Sequence, residues 1–143
     1  MAFWLFKTEP SAFSWEAQVK KGSKGEPWTG VRNYQAANNM KAMKKGDLGF
    51  FYHSVDEKRI VGIVEIIREH YPDPTDETGR FVCVDVKARE ALPHPVTLQE
   101  IKARPEFAQF YLVRQGRLSV MPVEKKHWQQ LCRMGGFKQA PGT

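Results

Sequence analysis

Three stretches of strand character follow one another between Asp47 and Ala88, and they commit this 143-residue chain to a fold organised around a sheet. They run from Asp47 to His53, from Arg59 to Ile67 and from Arg80 to Ala88. In the third, Val82, Val84 and Val86 alternate with Phe81, Cys83 and Asp85, the period of two that puts one set of side chains on each face. Gly49 and Gly62 fall inside the first two, where a missing side chain marks a bend or a close approach of another group. Shorter strands are expected at Phe3 to Thr8, stopped by Glu9-Pro10, and at Tyr111 to Val113 and Arg117 to Val120 around Gln115-Gly116.

Helical segments separate these strands. Ser14 is placed to cap a short helix from Trp15 to Lys21. Residues 33–45 carry Ala36, Met40 and Met43 on one stripe and end at Lys44-Lys45-Gly46. Thr97-Leu-Gln-Glu100 has the capping-box pattern and opens a helix that must end before Pro105. A last helix is expected near Glu124 to Met134, with Trp128, Leu131 and Cys132 at packing spacing. Tyr71 to Gly79 is an acidic, turn-rich loop. About six strands with interspersed short helices make an α+β domain on a curled, barrel-like sheet. One domain over residues 1–137 and a flexible tail over 138–143 are expected.

The segment Trp28 to Asn39 does not fit that plan as core. It places one Trp, one Tyr, one Arg, one Gln and three Asn within twelve positions. Buried side-chain amides need hydrogen-bond partners, and one helix start has donors for few of them. A planar ligand rich in heteroatoms uses the same mixture well: rings stack on its faces and amides read its edge, which is how unstacked nucleobases are held. Net charge is +6, and residues 1–46 contain eight Lys or Arg against three acids. The basic excess therefore surrounds this segment, and a polyanion is drawn to that side.

Enzymatic signatures are few. The chain has no GxxxxGK[ST] or GxGxxG loop, no HExxH and no CxxC pair, and its four histidines are scattered. No catalytic residue, cofactor or metal is expected. Cys83 and Cys132 read as packed thiols in a reducing compartment. Trp4, Trp15 and Trp128 read as core. No apolar run approaches the ~20 residues of a membrane span and the N-terminal residues lack signal-peptide character, so a cytoplasmic protein without membrane contact is expected.

Four strings, taken together and in order, resemble the EVE domain, a member of the PUA-like superfamily. They are Trp4-Leu-Phe-Lys-Thr-Glu-Pro10, Trp28-Thr-Gly-Val-Arg-Asn-Tyr-Gln35, Gly46-Asp-Leu-Gly-Phe-Phe-Tyr-His-Ser54 and Arg114-Gln-Gly-Arg-Leu-Ser-Val-Met-Pro-Val123. The resemblance runs from about Phe3 to Gly136. It implies a PUA-like mixed β-barrel with helices around it and a role as a non-enzymatic reader of a modified nucleobase. A modified cytosine in DNA, such as 5-methylcytosine or 5-hydroxymethylcytosine, is the leading ligand; RNA with a modified base, or an enzyme acting on one, is the alternative. The pocket it implies is lined by Lys7, Thr8, Glu9, Pro10, Trp28, Val31, Arg32, Asn33, Tyr34, Gln35, Asn38, Tyr52, His53, Ser54, Arg117, Leu118 and Ser119. Arg32, Lys41 and Lys44 are the expected phosphate contacts, and Tyr34 or Tyr52 the expected ring opposite Trp28. Two positions depart from the family pattern: Thr8 where Ser is usual, and Ala37 where Arg is frequent.

Overall fold

The computed structural model describes all residues, 1–143. Six strands and five helices alternate along the chain: β1 (Phe3–Thr8), α1 (Trp15–Lys20), β2 (Glu26–Pro27), α2 (Tyr34–Ala42), β3 (Leu48–His53), β4 (Arg59–Pro72), β5 (Val82–Thr97), α3 (Leu98–Lys102), α4 (Tyr111–Arg114), β6 (Val120–Val123) and α5 (Lys125–Met134). They form one mixed sheet in the order β2-β5-β4-β3-β1-β6. Only β1 and β3 are parallel, in register from Phe3↔Leu48 to Thr8↔His53; α1 and α2 lie on the long connection that a parallel pair requires. The sheet is open, with β2 and β6 as its edges, so the expected barrel is not closed by hydrogen bonds.

The pairing of β4 with β5 is irregular. Their register shifts at four places, between Ile60/Gly62, Ile63/Val64, Ile66/Arg68 and Arg68/Tyr71. Each bulge bends its strand and increases the local twist. Both strands outrun their expected ends, and β5 continues through Pro93 and Pro95. Proline is tolerated there because β2 pairs only with Asp85 and Val86, leaving the outer edge of the later half of β5 free of a strand partner.

Helix starts follow their capping residues. Ser14 accepts a hydrogen bond from the Ala17 amide, Asn33 from Ala36, and Thr97 and Glu100 complete the capping box. One element differs in kind: Tyr111 to Val113, expected as a strand, lies in the short helix α4. A run of three apolar residues has no readable period, and burial of Phe107, Phe110 and Leu112 together is met by a helical turn. The strand expected at Arg117 to Val120 starts at Val120 instead, although the Lys7 amide still donates to the Ser119 carbonyl at 2.9 Å. Part of the tail is packed: Ala140 is buried and the Trp128 indole donates to the Pro141 carbonyl at 2.9 Å. No helix is long and apolar enough to cross a membrane.

The core is a single cluster in which α5 lays Trp128 between Phe3 and Phe50, at 4.5 and 4.1 Å between ring centroids. Trp4 and Cys83 are buried, and Trp15 is half-buried against the same cluster. Gly49 and Gly62 are places of close approach. A Cβ on Gly62 would lie 2.5 Å from the Trp15 ring, and one on Gly49 2.8 Å from Phe6. Gly62→Ala is therefore expected to cost about 1–3 kcal/mol through overpacking. A lowered urea midpoint, with altered tryptophan emission as Trp15 is pushed aside, would show it; an unchanged midpoint would mean that the ring moves freely.

Candidate functional site

A cleft of about 430 Å³ opens where β1 ends. Its walls come from Lys7 and Thr8 of β1, Ala12 and Phe13 of the following turn, Glu26 to Asn33, and Ser119 just before β6. The turn after β1 is closed by the Glu9 carbonyl, which accepts from the amides of Ala12 and Phe13 at 2.9 Å each. That closure is what brings Phe13 to the cleft. Glu9 and Pro10 themselves lie outside the lining.

Trp28 is the anchor. Its ring is 8% exposed and meets Phe6, Phe51 and Phe13 edge-on, at 5.1, 5.7 and 6.3 Å. Its amide donates to the Val84 carbonyl at 2.7 Å. The Trp4 and Trp128 indoles donate to Asp47 and Pro141, but the Trp28 indole N–H has no acceptor within the protein.

The segment after Trp28 is held by a residue of the loop between β4 and β5, outside the cleft lining. The Asp73 carboxylate, its side chain wholly buried, accepts from the Gly30 amide at 2.8 Å, from Arg32 at 3.1 Å, and from the Thr75 amide and hydroxyl at 2.7 and 2.6 Å. Burial pushes its pKa up, but the bonds from Thr75, Gly30 and Arg32 outweigh that and hold the carboxyl below its ordinary range. Gly30 takes φ +85°, a left-handed turn that glycine accepts without strain. The backbone amides of Val31, Arg32 and Asn33 make no bond within the protein.

The polar groups facing the cleft divide into engaged and free. Lys7 donates to the Gly116 carbonyl at 2.7 Å, and burial lowers its pKa. Arg32 is tied to Val31, Asp73 and Thr75, with its side chain still 40% exposed. Glu26 pairs with Lys21 at 3.4 Å. Asn33 Oδ1 caps α2 through the Ala36 amide at 2.9 Å, which leaves the Asn33 NH2 group without a protein acceptor. The Ser119 and Thr29 hydroxyls also donate to no protein group. The cleft thus offers one fixed indole, several unpartnered donors and an apolar wall of Ala12, Phe13, Pro27 and Val31.

Of the residues expected from sequence, Lys7, Thr8, Trp28, Val31, Arg32, Asn33 and Ser119 come together in this cleft. The others do not line it. Tyr34 stacks on Phe81 instead, and Gln35 and Asn38 lie on the solvent side of α2. Asn39 Nδ2 donates to the Val120 carbonyl at 2.8 Å, fixing α2 to β6. Tyr52 is buried beside Lys7, and that burial raises its pKa to about 12, so neither tyrosine stands opposite Trp28. His53 accepts from the Trp15 amide at 3.0 Å and bonds Glu57 at 2.8 Å through its other nitrogen. The Ser54 amide donates to Thr8, Leu118 is buried, and Arg117, Lys41 and Lys44 are exposed away from the lining. Ala37 is 2% exposed on the inner face of α2 and takes no part. Ala12, Phe13, Glu26, Pro27, Thr29 and Gly30 line the cleft without having been expected from sequence, and Asp73, outside the lining, holds its wall. For Asp73 the signal was available: Asp-Pro-Thr is the pattern of a side chain bonding the backbone two residues on.

Comparison with known proteins places this geometry among relatives. The EVE domain model matches residues 2–134. Thymocyte nuclear protein 1 of Gallus gallus is 33% identical over 87% of this chain, and the chain spans 65% of that protein's length. The structure of a protein from Rhodopseudomonas palustris superposes with a TM-score of 0.92 at 55% identity, covering 97% of this chain and 96% of the other. Human THYN1, solved in complex with 5-methylcytosine-containing DNA, superposes with a TM-score of 0.87 at 28% identity, covering 96% and 99%. With the open mixed sheet, the cleft at the end of β1 and a family match across nearly its whole length, the chain belongs to the EVE domain family.

Proposed function

We propose that the cleft receives a single modified cytosine from a DNA strand, 5-methylcytosine or 5-hydroxymethylcytosine, and that the protein is a reader rather than an enzyme. The observation that carries this reading is the coexistence in one cleft of an edge-locked indole and unpartnered hydrogen-bond donors. Human THYN1, of the same family and seen with 5-methylcytosine-containing DNA, supports the ligand class. On this reading the sheet is a PUA-like architecture. Catalysis is disfavoured by how the cleft's charged groups are engaged: Lys7 on a carbonyl, Arg32 on Asp73, Glu26 on Lys21.

The base leaves the stack and lies against Trp28, a contact worth roughly 1–3 kcal/mol. The Asn33 NH2 group and the free backbone amides meet its polar edge. The 5-substituent meets the wall of Ala12, Phe13 and Val31, where one methyl is worth about 1–3 kcal/mol of preference. Arg32, with Lys41 and Lys44 further out, neutralises the backbone, so affinity falls as salt rises.

The test is a titration against short oligonucleotides that differ at one cytosine: unmodified, methylated or hydroxymethylated, as DNA and as RNA, at two salt concentrations. Preference for a modified DNA base that weakens with salt is expected; equal affinity across the series would sink the reading, and preference for the RNA set would move it to RNA. Asn33→Ser separates the cap from the reading function. Serine caps a helix about as well as asparagine. Melting should therefore hold while affinity for the modified oligonucleotide drops roughly three- to tenfold, the worth of one hydrogen bond.

A further inference from the structure

Tyr34 is 59% exposed, and no other Phe, Trp or Tyr ring in the chain is exposed. A lone exposed tyrosine is ordinary. This one is distinguished by what lies beneath and beside it. Its ring stacks on Phe81 at 4.9 Å with an interplanar angle of 30°, and its hydroxyl bonds no protein group. The Arg32 guanidinium lies 5.6 Å from the same Phe81 ring and also lines the cleft. One ring therefore connects the cleft to the Tyr34 surface, and Tyr34 follows Asn33 directly in sequence.

The support beneath is built rather than incidental. The Asp73 amide donates to the Phe81 carbonyl at 3.0 Å, and Asp76 accepts from the amides of Arg80 and Phe81 at 3.0 and 2.8 Å. The loop that looked only acidic and turn-rich in sequence spends both aspartates internally, on holding Phe81 and the Arg32 side chain. The result is a flat aromatic surface with one face covered, fixed in advance beside a cation. Ordering a side chain in advance lowers the entropy lost on binding.

Resting on the reader function above, we propose that Tyr34 is a second stacking site, occupied by the nucleotide next to the one in the cleft. The protein then recognises a two-nucleotide step of a strand rather than a lone nucleoside, with Arg32 facing the phosphate that joins the two. Stacking on a free aromatic face is tolerant of base identity, so this site adds affinity without reading sequence.

The experiment compares wild type, Tyr34→Ala and Tyr34→Trp in fluorescence anisotropy with an oligonucleotide carrying one 5-methylcytosine. Matched strands have an abasic position on either side of it in turn, and free 5-methyl-2′-deoxycytidine serves as competitor. Tyr34→Ala is expected to weaken the complete strand roughly five- to hundredfold. It should leave the strand with the relevant abasic neighbour, and the nucleoside, as wild type binds them; Tyr34→Trp should restore binding. An equal loss on nucleoside and strand, or no loss on the strand, overturns the proposal, as would a protein partner whose capture alone depends on Tyr34. If wild type binds strands without preferring 5-methylcytosine while the Tyr34→Ala loss persists, the reader function falls and the stacking site stands. If no strand binds, both fall.

Discussion

Trp28→Ala is expected to lower stability by about 3–5 kcal/mol and to remove most of the affinity for a modified base. The two effects share one cause. The indole is 8% exposed and packed edge-on by Phe6, Phe13 and Phe51, so truncation leaves a cavity that these rings cannot all fill. Against a typical total of about 5–15 kcal/mol the protein should still fold in the cold, with its melting temperature lowered by roughly 10 °C. Binding must be measured well below that temperature, where the population is folded. There the loss of stacking alone predicts affinity weaker by about tenfold or more. Trp28→Phe separates the ring from the N–H. It keeps an aromatic face but removes the donor that has no acceptor within the protein, so the affinity lost should be about one hydrogen bond, 0.5–1.5 kcal/mol. Unchanged melting in Trp28→Ala would contradict the packing; unchanged affinity in the folded variant would contradict the stacking role.

What sequence showed and what it hid follow one physical line. Local signals were legible: the caps at Ser14, Asn33 and Thr97 and the period of two in β5 each depend on neighbours within a few residues, whereas Gly49 and Gly62 marked close approaches without naming the distant rings, Phe6 and Trp15, that make them. The amides of the first third were read as one constellation because they are close in sequence. Helical geometry turns each residue about 100° from the last, so Asn33, Gln35, Asn38 and Asn39 diverge to a cap, to solvent and to β6. Tyr52 and His53, expected in the pocket, are taken up elsewhere: Tyr52 is buried, and the Trp15 amide at the start of α1 donates to the His53 ring. The contacts that complete the cleft are long-range. Asp73 lies more than forty residues from Gly30 and Arg32, and no local pattern in either segment names the other. The curl was expected, yet barrel closure depends on whether β2 and β6 meet, which is a matter of bulge positions in β4 and β5.

Asp73→Ala carries the second largest expected effect, because it removes the carboxylate that ties the cleft loop, at both Gly30 and Arg32, to the loop supporting Phe81. The carboxylate satisfies the Gly30 amide, both Thr75 donors and Arg32. Deleting it leaves the Gly30 and Thr75 amides short of an acceptor and the Arg32 guanidinium without its counter-charge. Unpaired buried donors cost about 1–3 kcal/mol each, but Gly30 and Thr75 are exposed residues and Arg32 is half-exposed, so water relieves part of the loss. A destabilisation of about 2–4 kcal/mol is therefore expected, with proteolysis between Thr29 and Arg32 as its local sign. Asp73→Asn should fall between, since one oxygen acceptor survives while the other becomes a donor facing donors. The native carboxyl is held below its ordinary pKa, so its stabilising share is complete above the unfolded-state value near 3.8 and is lost as pH falls through the lower folded-state value. Wild type should accordingly lose loop order in that acid window, and Asp73→Asn should show no such step from this site. Affinity for the modified strand should drop in both variants even where they remain folded, because Arg32 and the turn at Gly30 no longer hold the wall of the cleft. If Asp73→Ala melts like wild type and binds like it, the loop is not ordered by the Asp73 carboxylate, and the stacking surface at Tyr34 would then owe its rigidity to Asp76 and to the backbone bond from residue 73 to Phe81.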